Sequence, residues 1–109
     1  MNGIVFHIDD PSAWSVLLGN LRNSLGEPSL GRLRVVANGT APVALWADSR
    51  WRRELEELLS QGVEVYFCHN SLTAMDLDPA GRPLGSKVVP AGVRAIAEAQ
   101  EAGYSYLKP

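Results

Sequence analysis

Cysteine is nearly absent from this chain of 109 residues: Cys68 is the only one. No internal disulfide can form, which excludes the stapled scaffolds of small extracellular domains. Histidine occurs only twice, and one thiol with two separated imidazoles at no ligand spacing gives no zinc site. Positive charge is not in excess, since ten Lys and Arg face twelve Asp and Glu for a net charge of −2. A basic surface for non-specific nucleic-acid binding is therefore excluded. No apolar run approaches membrane-spanning length, and Met1-Asn2-Gly3-Ile4 has no basic leader character. The expectation is a soluble protein in a reducing cytoplasm, with no membrane and no nucleic-acid partner. A Gly-rich phosphate loop is also missing: Asp9-Asp10-Pro11-Ser12 stands where one would follow the first strand. This argues against a dinucleotide fingerprint, a P-loop and a flavodoxin-type flavin loop. There is no Gly-x-Ser-x-Gly elbow. No cofactor and no metal are expected.

What is present reads as one globular domain over residues 1–109, with 46% apolar and 20% charged residues. Strand and helix alternate. Ile4 to Ile8 is an apolar strand, and Asp10 with Pro11 caps and opens a helix. Trp14, Leu17, Leu18, Leu21 and Leu25 define that helix's buried face, and Gly26 stops it. Leu33 to Ala37 is the second strand, followed by Asn38-Gly39-Thr40 and a short apolar piece at Val43, Leu45 and Trp46. Asp48-Ser49 opens a second helix with Leu55, Leu58 and Leu59 inward and Arg52, Arg53, Glu56 and Glu57 on a solvated face, closed by Gly62. Val63 to Phe67 is the third strand, and a short helix is expected from about Ser71 to Leu77. Asp78 to Gly85, with two Pro and two Gly, reads as the least ordered stretch. Lys87 to Val89 forms a fourth strand ending at Pro90. Val93, Ile96, Ala97 and Gln100 mark the last helix, and Tyr104 to Leu107 a fifth strand. This alternation specifies an α/β fold: a five-stranded, mostly parallel sheet with helices on both faces.

In such a sheet, chemistry sits beyond the carboxyl ends of the strands. Those ends carry Asp9-Asp10, Asn38-Gly39-Thr40, Cys68-His69-Asn70 and Pro90-Ala91-Gly92. Cys68 is the chemical handle among them. At a strand-to-helix junction its sulfur meets unpaired N–H groups, from Asn70 and Ser71 above all, and the positive end of a helix dipole, both favouring thiolate. Asp9 and Asn38 would line the mouth. Gly39 supplies a positive φ if the turn needs one, and Ser71 acts in helix capping. His69 follows Cys68 directly, and adjacent strand residues point to opposite faces, which keeps its ring off the sulfur. Cysteine is equally at home as a small buried hydrophobe, so a packing role stays open. His7 reads as a core or interface histidine. The three tryptophans read as packing, with Trp46 and Trp51 also candidates for a subunit contact.

Taken in order, several segments resemble the DsrE/DsrF-like family. They are His7-Ile8-Asp9-Asp10, Val35-Val36-Ala37-Asn38-Gly39, Phe67-Cys68-His69-Asn70-Ser71-Leu72, Val88-Val89-Pro90-Ala91-Gly92-Val93 and the ending Gln100 to Pro109. The resemblance implies a flavodoxin-like sheet assembled into trimers or hexamers. In the sulfur-relay members, a cysteine after the third strand carries a persulfide received from a donor protein and passed to an acceptor. Cys68 falls on that position, although the His69-Asn70-Ser71-Leu72 segment departs from the relay proteins. Two functions follow: a sulfur-trafficking protein with persulfide on Cys68, or a non-enzymatic oligomeric module that binds a small molecule or protein at the same rim.

Overall fold

Alternating apolar residues in the first three strands bury both faces of a sheet, because successive side chains point to opposite sides. The computed structural model describes all of residues 1–109. Its elements run β1 (Gly3–Ile8), α1 (Trp14–Leu25), β2 (Arg32–Ala37), α2 (Arg50–Ser60), β3 (Glu64–Cys68), α3 (His69–Ala74), β4 (Lys87–Val89), α4 (Gly92–Glu101) and β5 (Ser105–Leu107). Short 3-10 turns at Pro11–Ala13, Ala41–Leu45 and Pro79–Gly81 lie between them. The strand order is β4-β3-β2-β1-β5, and every pairing is parallel. No helix is long and apolar enough to cross a membrane.

The two faces of the sheet are unequal. On one, Phe6, Ile8, Val35, Ala37, Val65 and Phe67 meet Trp14, Leu17, Leu18 and Leu21 of α1 and Leu55 and Leu58 of α2, within a cluster of 18 buried residues. On the other, Val5 and Val36 meet Ala95, Ile96 and Ala99 of α4 in a buried cluster of five, with Tyr66, Val89 and Tyr104 packed at its edge. Asp10 accepts the Ser12 N–H at 2.8 Å, with Pro11 next, so the first cap forms as the sequence dictates. Ser49 caps α2 by accepting the Arg52 N–H.

Some local features differ from what the sequence suggests. The buried face of α4 is Gly92, Ala95, Ile96 and Ala99, while Ala97 and Gln100 face out and Val93 is 69% exposed. Small residues sit inward here because the helix lies close on the sheet, so side-chain size misleads. The helix after β3 begins at His69 rather than Ser71, which makes Cys68 its capping residue. Gly26 stops α1 as expected, though with φ −76, an ordinary right-handed conformation, so its flexibility is not used.

The stretch from Asp78 to Gly85 is tied down rather than loose. The Trp46 indole N–H donates to the Asp78 carbonyl at 2.7 Å, and the Leu84 N–H donates to Glu56 at 2.6 Å. Arg52 donates to the carbonyls of Leu45, Gly81 and Arg82 at 2.9, 2.7 and 3.1 Å. Arg52 is thus a clamp between α2 and this loop, not part of a solvated face. Trp14 and Trp46 are packing residues: the first is fully buried, and the second stacks edge-on against Phe67 at 5.0 Å. Trp51 packs against the larger core and beneath Arg50.

Candidate functional site

Cys68 ends β3 and starts α3, so its side chain faces the turn where backbone N–H groups have no helical partner. The side chain points to the same face as Val36 and Asn38, toward α4. Gly92 opens α4 directly above it. A Cβ at Gly92 would lie 3.3 Å from Cys68 Cβ, Asn38 Cβ and Val36 Cγ1 alike. The absence of that atom lets the first turn of α4 settle onto the thiol.

Burial pushes the Cys68 thiol up, but the Ser71 hydroxyl and the N–H groups of Gly92, Ser71 and Asn70 outweigh it and hold the thiol below its ordinary value. No cap bond is closed at Cys68. These groups therefore act on the thiol as a polar cradle around it and not through a closed cap bond. Because α3 has only six residues, its contribution is its N–H groups, not the full helix dipole expected from the sequence. Gly92, at the start of the ten-residue α4, adds a donor from a second element.

Ser71 holds the cradle to the next strand end. Its Oγ accepts the Gly39 N–H at 3.0 Å, which leaves its own proton free for the sulfur. Gly39 has φ +58, and a Cβ there would stand 2.7 Å from the Asp9 carbonyl oxygen, so only glycine fits. The turn thus uses the positive φ that the sequence allowed.

Asn38 is fixed from behind. Its Oδ1 lies 2.9 Å from His7 Nε2, and His7 Nδ1 lies 2.7 Å from the Tyr106 hydroxyl. A carbonyl oxygen only accepts, so Nε2 carries a proton, and in the neutral ring Nδ1 then accepts from the Tyr106 hydroxyl. A chain of polar contacts thus runs from Tyr106 at the surface, through His7, to the amide beside Cys68. His7 is neither a core nor an idle histidine. Sequence reasoning missed this because Tyr106 is 99 positions away; the only available signal was an imidazole inside an apolar strand.

The remaining candidates are peripheral. The Asp9 carboxylate is held by Lys108 at 2.9 Å, not turned into the cradle. His69 and Asn70 are exposed side chains that line, with Val88, Val89 and Pro90, an open hollow of about 400 Å³. The sulfur itself does not stand open at the rim: Cys68 is only 6% exposed. It lies just beneath the surface in polar surroundings. No group of three or more His, Cys, Asp or Glu is arranged to hold a metal ion.

The fold and site together define a parallel α/β protein with one thiol closed between two helix starts and a glycine turn. The chain belongs to the DsrE/DsrF-like family, whose profile matches residues 47–109, the stretch that carries both Cys68 and Gly92. That family is associated in general with sulfur relay. Among solved structures, a protein of unknown function, MTH1491 from Methanobacterium thermoautotrophicum, is 34% identical with a TM-score of 0.90, covering 100% of both chains. A conserved protein of unknown function, BT1422 from Bacteroides thetaiotaomicron, has a TM-score of 0.82 at 14% identity, covering 99% of this chain and 95% of its own. The ychN protein of E. coli has a TM-score of 0.77 at 18% identity, over 100% of both chains. At such identities these last two show the fold alone. None of the curated proteins matches the chain.

Proposed function

We propose that the protein carries sulfane sulfur as a persulfide on Cys68. The reading is supported by the place of the chain's only thiol, at the start of α3 with Gly92 of α4 seated against it, where the Ser71 hydroxyl and nearby N–H groups hold it below its ordinary value. Those donors favour the thiolate, which is the nucleophile. The Cys68 thiolate attacks the outer sulfur of a donor persulfide R–S–SH. The donor S–S bond breaks, R–S⁻ leaves with the electron pair, and Cys68–S–SH forms with no net oxidation or reduction. An acceptor thiolate then takes the outer sulfur by the same exchange. The same donors that face the thiolate suit the anionic persulfide. Burial shields it from bulk reductant, and local opening at the Pro90–Gly92 turn admits the donor. Asp9, Asn38, Gly39, His69, Asn70 and Ser71 make up the rim in this reading, of which Asn38, Gly39 and Ser71 act on the cradle itself.

Incubation with an inorganic polysulfide is expected to add about 32 Da per chain, one sulfur atom, read by intact-mass spectrometry. The adduct is expected to vanish in Cys68→Ser. An unmodified wild-type spectrum, or an adduct that survives in the variant, overturns the proposal. The second reading, a non-enzymatic module binding a partner or small molecule at the rim, draws on the 6% exposure of Cys68, which suits a packing cysteine. An inert thiol in that spectrum is its expected result.

Trimeric or hexameric assembly is part of this proposal, with sulfur donor and acceptor proteins as partners. Exposed Val93 and Tyr106, at 69% and 44%, offer apolar contact surface. Light scattering on the eluting protein is expected to give three or six chain masses; a monomer at micromolar concentration removes this part.

A further inference from the structure

The bare strip of sheet beside α4 holds a second built site, independent of the thiol. Arg34, Tyr66, Val89, Pro90, Ala91, Arg94, Ala95 and Glu98 enclose a hollow of about 430 Å³. This lies within the size range of small-ligand pockets, roughly 300–1,000 Å³. Arg34 is the unusual member. Its guanidinium is clamped between the rings of Tyr66 and Tyr104, at 4.9 and 4.8 Å from their centroids. The side chain is only 17% exposed. Yet only Nη2 is engaged, by Glu64 at 3.4 Å and the Tyr104 hydroxyl at 3.5 Å, both long. Nε is buried with no partner at all. A buried N–H left unpaired is costly, and a guanidinium held by two aromatic rings cannot swing out to find water. Glu64 reaches only one nitrogen of the guanidinium, which, held fixed, keeps Nη1 for an incoming acceptor, while Nε stays buried. Arg94 on α4 adds a second guanidinium to the wall, paired to Glu98 at 2.9 Å but 82% exposed and free to move.

We propose that this hollow binds a small monocarboxylate with a compact apolar body. The carboxylate takes the Nη1 donors of Arg34, with Arg94 closing over it, since planar guanidinium matches carboxylate geometry. The body lies against Tyr66, Val89, Pro90 and Ala95. Glu64 and Glu98 offset the two arginines, so charge alone holds no anion tightly here and the apolar body against Tyr66 and Val89 sets the preference over phosphate.

The test is an NMR titration of the whole ¹⁵N-labelled protein with phenylacetate, against phenylacetamide and inorganic phosphate. Phenylacetate is expected to shift the Ala91, Arg94 and Ala95 amides and the Arg34 Nε–H saturably, with Kd on the order of 1 mM for so small a ligand. Arg34→Gln is expected to weaken binding at least tenfold. Arg94→Gln, whose side chain is exposed and whose change leaves the core intact, is expected to weaken it several-fold. Equal shifts from phenylacetamide or phosphate overturn the assignment. So do shifts that map elsewhere, no saturable response to phenylacetate, or undiminished binding by folded Arg94→Gln.

Discussion

In Ser71→Ala, alkylation of Cys68 by iodoacetamide at neutral pH is expected to slow by about tenfold, the worth of one hydrogen bond to a charged group. The wild-type rate should rise through a titration below the ordinary thiol range and then level off, because burial raises the thiol but Ser71, Gly92 and Asn70 lower it further. Removing the hydroxyl shifts that rise to higher pH, and the two profiles should meet at strongly alkaline pH, where both thiols are ionised. Stability follows the same sign. With the folded value held below the unfolded one, the unfolded chain binds more protons between the two, so stability grows with pH across that interval. It is lost as pH falls through the folded value. Urea melts across the interval should therefore show a smaller gain in Ser71→Ala. Ser71→Thr, which keeps a hydroxyl for both Gly39 and the sulfur, is expected to restore most of the rate. Superimposable wild-type and Ser71→Ala profiles would remove the hydroxyl from the thiol's surroundings.

Trp14→Ala is expected to cost about 3–5 kcal/mol, the usual toll of deleting a large buried aromatic side chain. Trp14 is wholly buried in the larger core, and its indole N–H donates to the buried Ala41 carbonyl at 2.8 Å. The change opens a cavity and leaves that carbonyl unpaired. Domains of this kind are stable by only about 5–15 kcal/mol, so a large share is lost. A drop in the urea midpoint with little change in slope is the expected result. Trp14→Phe keeps most of the ring and should fall between the two. A midpoint for Trp14→Ala within error of wild type would mean that the indole is not part of the core.

The order of strands and helices was legible because it depends on local signals: β-branched runs, the Asp10-Pro11 and Ser49 caps, and the leucines of α1. The position of Cys68 was legible too, because a parallel sheet puts every strand end on one rim. Partnerships between distant segments were not. Nothing local to Arg52 announces the carbonyls of Gly81 and Arg82, nor does a lone Arg34 inside a strand announce two tyrosines, one of them 70 residues on. The buried face of α4 was not legible for a related reason. Alanines make the contact, and Val93, the residue that looks most like core, points away. Asp9 looked free from its place after β1, but Lys108 reaches it from the far end of the chain.

Covering five strands with a single short helix has a mechanical consequence. The thiol is shut in by the side of the molecule with a buried cluster of five residues, while eighteen residues grip the opposite side. Partial openings follow the weaker attachments first. A hinge-like lift of α4 from the sheet would thus unroof the sulfur while the main body keeps its shape.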